Sequence, residues 1–377
     1  MEKIILNNSI LNSENMKLRI SLFILLPFVL ISYAQNTKIL DSIQVYGKLR
    51  VHASVFDGSL ELQENSPRIG SSLIRNIGNE LQAFGQLEFG VHIIEGTEFN
   101  NDASTSSEFI KDPFKEREAI TSRLAILGIR HSKYGSLSLG KQWGAYYDIA
   151  SYTDNFVVFG GSASGTYAGN SDGGWKGTGR ANKSIRYRNE FNNFSLALQS
   201  QLIGGSQNYG ASIQYKTPFN LTLGAAYNSA EIREEYRSFI TDIGPDSSNL
   251  IFGLQYNKNK IGAALTYSLH DDEFIQLDES TVISFPTFGL ESLMSYQYSK
   301  KLKIQAGFNY MKETDKNPYF STEYKLLHYI LDINYNLDDY VKIYMSGRID
   351  NSKSVLDSRT HNVFLLGFSY EFNYTNI

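Results

Sequence analysis

The chain has 377 residues, 42% hydrophobic and 20% charged, with 25 Tyr, 23 Phe, 30 Gly and no Cys. This excludes a bundle of transmembrane helices, which needs several apolar runs of about 18 residues or more, and it excludes a disulfide framework or a thiolate metal site. A net charge of -4 argues against a nucleic-acid partner held by bulk electrostatics.

At the N-terminus, Lys17 and Arg19 precede an apolar stretch, Ile20–Ile31, and Ser32-Tyr33-Ala34 puts small residues at the positions a signal peptidase reads. The expectation is that 1-34 is an N-terminal extension and signal peptide, translated from Met16 and removed after Ala34. Residues 35-377 then form one exported domain.

Downstream, the chain alternates with period two in segments of about ten residues. On the first, Gln44, Tyr46, Lys48, Arg50, His52 and Ser54 share a polar face, while Val45, Leu49, Val51 and Val55 share the other. Phe219–Tyr227, Ile261–Leu269, Lys301–Tyr310, Leu327–Tyr335 and Val341–Ile349 repeat the pattern, and Phe364, Leu366, Phe368, Tyr370 and Phe372 close it with an apolar face assigned to lipid. The stretch Thr121–Arg130 alternates poorly. Short turns fall at Gly78-Asn79, His131–Gly135, Asn192-Asn193, Pro218-Phe219, Asn257–Lys260, Lys300-Lys301 and Leu337–Asp339. Long polar stretches fall near 57–66, 96–119, 143–179, 203–208, 230–248, 272–286, 313–324 and 351–360. Tight turns alternating with long loops predict an all-β fold, a 16-stranded antiparallel transmembrane barrel. A soluble sandwich usually stops near seven to nine strands.

The segment Thr121–Gly161, with Gly135-Ser136-Leu137 leading to Gly140-Lys141, then Tyr147-Asp148, Tyr152-Thr153-Asp154 and Phe159-Gly160-Gly161, resembles the central region of Gram-negative general diffusion porins. Val45-Tyr46-Gly47-Lys48, Arg68-Ile69-Gly70, Gln86–Phe89, Gly179-Arg180 to Asn189, and Gly367–Phe372 extend the similarity. Between Ala230 and Lys325 only alternation supports it. The resemblance implies a trimeric barrel in the bacterial outer membrane, with short periplasmic turns, long extracellular loops and a third loop, 143–179, folded inward. It implies passive diffusion of ions and small hydrophilic solutes, with no bond chemistry and no cofactor. Its partners would be membrane lipid and lipopolysaccharide, two further copies of the chain and the outer-membrane assembly machinery, with no nucleic acid. The second long loop, Gly96–Glu118, would latch a neighbour.

Carried over residue by residue, Lys48, Arg68, Arg123 and Arg180 fall on the family's basic wall ladder. Strand parity adds Arg50, Arg186 and Arg188, since lipid-facing charge near the midplane costs about 2–4 kcal/mol each. The narrowing loop would present Tyr152, Asp154, Phe159, Gly160 and Gly161. Val158 and Ser162 stand where the family has further acids. Glu88 is a candidate wall carboxylate, and Phe372 the terminal-strand assembly signal, although Asn373–Ile377 follow it. Missing acids imply a weakly selective or anion-leaning pore. Two rivals are an anion- or phosphate-specific channel and a sugar-specific one, in which Trp143, Tyr146, Tyr147, Tyr152 and Phe156 would form an aromatic slide.

Overall fold

The computed structural model describes residues 40–56, 58–94, 119–164, 179–203, 206–232, 234–238, 240–276, 282–316, 318, 323–353 and 362–376. The signal-peptide expectation, the second loop Gly96–Glu118, residues 165–178 of the third loop and most of 351–360 lie outside them.

In chain order the strands begin β1 (Ser42–Phe56), β2 (Ser59–Glu64), β3 (Arg68–Gly78), β4 (Leu81–Val91), β5 (Ile120–His131) and β6 (Gly135–Trp143). After a helical turn, α1 (Tyr147–Ala150), follow β7 (Arg180–Phe191), β8 (Phe194–Ile203), β9 (Ser206–Lys216) and β10 (Leu221–Glu231). A second helical turn, α2 (Glu234–Arg237), and the two-residue β11 (Ile240–Thr241) precede β12 (Asp246–Lys258), β13 (Ile261–Gln276) and β14 (Val282–Gln297). The chain finishes with β15 (Leu302–Glu313), β16 (Lys325–Asn336), β17 (Val341–Asp350) and β18 (Val363–Asn376). All lie in one 18-stranded sheet. β2 doubles back on the upper half of β1, and β11 docks on the top of β14, so sixteen strands remain to form the wall. The sheet closes where β1 meets β18, from Ile43↔Asn376 to Phe56↔Val363.

Burial is inverted relative to a soluble protein. Leu127, Met294 and Leu366 are 67%, 64% and 56% exposed on the outer face, whereas Asn228, Glu291 and Asp332 are fully buried on the inner one. The alternating pattern thus meets hydrocarbon outside and an aqueous interior inside, as a membrane barrel requires. The short turns form where expected. Asn79, Asn192, Asn220 and Asn259 take positive φ at four of them, a conformation Asn tolerates because its side chain bonds locally.

Two long loops are not loops. β8 and β9 pair as far as Ile203↔Ser206, and β13 and β14 as far as Gln276↔Val282. Asp271, Asp272 and Glu273 therefore sit on a strand, at a register shift between His270 and Glu273. The reason is apolar: Phe274 and Val282 on this tall hairpin pack with Ile232 and Ile240 from the connection after β10.

The poor alternation of β5 has a definite cause. Glu88 faces Leu124, but Phe89 faces Ser122, so Arg123 is an extra residue in a β-bulge. Below it Leu127 and Ile129 stay on the lipid side. A second irregularity separates Gly140↔Ser184 from Gln142↔Ala181, with Lys183 at φ 50. Simple alternation would put Asn182 on one face with Ser184 and Arg186, but it fails there: Asn182 is exposed and Ser184 buried.

Candidate functional site: the aperture between loop and wall

The loop after β6 turns into the barrel. At its root Gly140 has φ +118, and a Cβ there would lie 1.9 Å from the Ala125 carbonyl oxygen, so only glycine fits. Tyr146, Ile149, Ala150, Tyr152, Phe156, Val158 and Phe159 then pack against wall residues such as Ala226, Ile251, Leu293 and Ile330, forming the main apolar core. A barrel of this width leaves a channel, and here the inward segment fills part of it.

Polar tethers hold the loop on several strands. Thr153 Oγ1 and the Ala163 amide donate to the two carboxylate oxygens of Glu291, each at 2.6 Å. At the tip, the Val157 amide donates to Asp332 Oδ2 at 2.6 Å, and the Val157 carbonyl accepts from Arg50 Nη1 at 2.7 Å and Asn65 Nδ2 at 3.0 Å. Gln305 Nε2 donates to the Asn155 carbonyl at 3.0 Å. Buried, fully hydrogen-bonded networks of this kind fix one geometry.

Between the loop and the opposite wall lies a cavity of about 430 Å³. Five of the seven expected wall cations line it: Lys48, Arg50, Arg68, Arg123 and Arg180. Lys303 on β15 and Lys342 on β17 also line it, making, among the described residues, seven basic side chains against two acids, Asp154 and Glu371. The cations form one crescent running from β15 across the β1/β18 seam to β7.

Each cation has a distinct setting. Lys48 and Arg68 are direct cross-strand partners, a like-charge pairing that destabilises a sheet unless a counter-charge is close. Lys48 Nζ meets Glu371 at 2.7 Å. Arg123, brought inward on its bulge, donates to Glu88 Oε1 at 2.8 Å, and Tyr46 Oη donates to Glu88 Oε2 at 3.1 Å. Glu88 thus sits on the wall behind Arg123. Arg180 lies 5.3 Å from the Trp143 ring centre, and Trp143 stacks on Tyr147 at 4.2 Å.

Arg186 and Arg188 do not belong to the aperture. Both point inward, but Arg186 Nη1 donates to the Trp143 carbonyl, and Arg188 pairs with Asp148 on α1. Ser212 also donates to Asp148, at 2.6 Å. β7 adjoins the strand from which the loop departs, so inward side chains on its lower half meet the loop's root before they reach open space.

The loop residues divide similarly. Asp154 and Gly160 line the cavity. Tyr147 Oη donates to Asp154 Oδ2 at 2.9 Å, and burial together with that carboxylate pushes the Tyr147 phenol well up. Tyr152 is 4% exposed and donates to Gln214 at 2.8 Å behind the loop. Phe159 is buried beneath the Arg348 guanidinium, 5.2 Å from its ring centre, and Gly161 makes a bend at φ +72. Val158 lines the cavity where an acid was missed from the sequence. Of the five aromatics a sugar slide would use, Trp143, Tyr147 and Phe156 line the cavity, whereas Tyr146 and Tyr152 are sealed into the core. Phe372 lies on the outside, its ring against Gly47 of β1.

Lys303 and Lys342 fall on the polar faces of the alternating segments Lys301–Tyr310 and Val341–Ile349, but the pattern alone gives them no task, and it does not single out Glu291, Asp332 or Glu371. The available signal was the rule already applied to arginines: a charge in mid-strand must face inward.

Comparison with known proteins gives a consistent result. A family model described as Gram-negative porin matches residues 29–285. The chain is 25% identical over 367 residues to outer membrane porin F of Xenorhabdus nematophila, covering 88% of this chain and 92% of that one. It is likewise 25% identical to outer membrane porin N of Escherichia coli, with coverage of 88% and 92%. Among solved structures, Salmonella typhi OmpF in complex with daunomycin aligns with a TM-score of 0.70 at 18% identity, covering 88% and 97% of the two chains. An anion-selective porin from Comamonas acidovorans aligns at 0.63 and 14% identity, covering 88% and 100%.

Proposed function

The chain belongs to the Gram-negative porin family, and from that premise we propose that this outer-membrane passive diffusion channel favours small anions. One observation carries the preference: among the described residues, seven basic against two acidic side chains line the cavity between loop and wall, a formal +5 from 7 - 2, or +4 when Glu88 behind Arg123 is counted. Fixed charge in a narrow, low-dielectric passage raises the local concentration of counter-ions. The cation crescent faces Asp154 on the loop, so the field also runs across the passage. It favours small polar and charged solutes over apolar ones.

The test is a reversal-potential measurement on the full-length protein in a planar bilayer under a salt gradient. A potential displaced toward that of chloride supports the reading, and one displaced toward the cation refutes it. Liposome swelling with graded sugars separates a sieve from a specific channel: uptake falling smoothly with size supports passive diffusion, and saturation by one sugar opposes it.

The same reading includes further parts. Transport needs no bond chemistry, so the channel is not an enzyme. The flat outer face at Leu81, Ala83, Gly85 and Leu87 on β4 suits close barrel-to-barrel packing in a homotrimer. Light scattering of the detergent complex would give three chains per particle. The outer rim meets lipid and lipopolysaccharide, and Phe372 serves recognition by the assembly machinery. Removal of residues 1-34 on export belongs to the same proposal, and mass spectrometry of the mature protein should then give an N-terminus at Gln35.

A further inference from the structure

The seam of the barrel holds an arrangement that the passive-channel reading does not require. Glu371 on β18 projects into the cavity between two lysines of its neighbouring strands. Lys48 Nζ lies 2.7 Å from Glu371 Oε1, and Lys342 Nζ lies 3.5 Å from the same oxygen. Ser369 Oγ donates to that oxygen as well, at 3.2 Å. Beyond Lys48, Arg68 is its direct cross-strand partner. The carboxylate is 38% exposed and the lysines 23% and 30%, so the group faces the passage.

We propose that Glu371 is a tethered anion occupying a two-lysine oxyanion subsite, and that it keeps the aperture a passage and not a binding site for small carboxylates or phosphate. The inference rests on the anion-preferring reading above. Two ammonium groups and a hydroxyl converging on one carboxylate oxygen are what a free carboxylate or a phosphate oxygen would meet there. With the place taken by the chain's own carboxylate, a passing oxyanion competes for the lysines and leaves quickly. Conduction needs sites that attract yet release. With Glu371 neutral, Lys48, Lys342 and Arg68 would present three charges without an internal counter-ion on this arc, and an oxyanion would stay longer. Ion pairs as exposed as these add little to stability, so a merely structural role would leave selectivity and block unmoved.

The experiment compares wild type and Glu371→Gln in planar bilayers, reading the reversal potential in a chloride gradient and the inorganic phosphate concentration that halves the chloride current. The expected result is a shift toward the chloride potential and a fall of about threefold or more in that concentration. Adding Lys48→Met to the variant should reverse both effects. Because the chain has no Cys, Glu371→Cys gives a second route. A negatively charged thiol reagent should restore wild-type behaviour, and a neutral reagent of similar size should not. Unchanged reversal potential and unchanged phosphate block in Glu371→Gln, or equal effects of the two reagents, would overturn the inference. A cation-selective wild type would overturn the anion-preferring reading, whereas the difference between wild type and variant tests the tethered anion separately.

Discussion

Two stretches of the same inner wall are built on opposite plans. The seam side, from β15 through β18 and β1 to β7, carries long charged side chains that repel one another across the ladder, as Lys48 and Arg68 do. The far side, β8 to β14, carries mainly small and neutral groups where the loop rests, Ala197, Ser212, Ala226, Gly253, Thr266 and Gly289, with the Glu291 carboxylate among them as a tether. There the wall is a seat. A Cβ on Gly289 would lie 1.6 Å from the Ala163 carbonyl oxygen, and one on Gly253 would lie 2.6 Å from Ile149 Cγ2. The narrowing is thus made by subtraction on one side and by addition on the other. Volume is withheld where the loop must lie, and charge is concentrated where solutes must pass.

The seat is where a substitution should have the largest effect. Gly289→Leu puts a branched side chain where backbone already is, so the loop must lift away. Single-channel conductance should roughly double as the narrowest ring opens, and larger sugars should enter liposomes. Unchanged conductance would mean that the loop is held by its tethers alone. Next in size is the crescent. Arg68→Ser with Arg123→Ser removes two of the seven cations and should move the reversal potential markedly toward the cation and widen conductance; if neither changes, these side chains do not meet the permeating ion. Asp332→Ala acts at the loop tip, which the seam side holds. It leaves the Val157 amide and Ser346 without their acceptor, a cost of about 1–3 kcal/mol. Open-channel noise should rise and the denaturation midpoint should fall. The smallest effect belongs to Glu88→Gln, which unpairs Arg123 while leaving its hydrogen-bonding shape. Selectivity should lean slightly further toward the anion, and a lean toward the cation would contradict the charge arithmetic.

Much of this architecture was legible from residues alone because a membrane barrel obeys a strict rule, apolar out and polar in, with a period of two. The strand faces, the seven turns and the inward loop followed from that rule and from the likeness at Thr121–Gly161. What it concealed were departures from the period. Arg123 reaches the lumen through an inserted residue, and the parity of β7 breaks at Lys183. Arg186 and Arg188 obeyed parity and still missed the opening, because parity gives a direction and not a depth. Glu291 and Asp332 are unremarkable letters in alternating strands. Their role appears only when a loop more than a hundred residues earlier is laid against them. The extended tops of β8, β9, β13 and β14 were hidden because polar residues on a tall hairpin resemble a loop in composition.

The β1/β18 pairing has a bearing on biogenesis. Gly47 meets Phe372 and Ile43 meets Asn376, so the first and last spans of the molecule are each other's neighbours. Bringing such distant ends together carries the largest entropy of loop closure in the chain. The cylinder is therefore sealed only after its final span has been delivered. The Asn373–Asn376 tail supplies four rungs of that seal, against Ile43–Tyr46. Trimming it would leave an open-edged sheet at the periplasmic rim, prone to pairing with whatever strand arrives first.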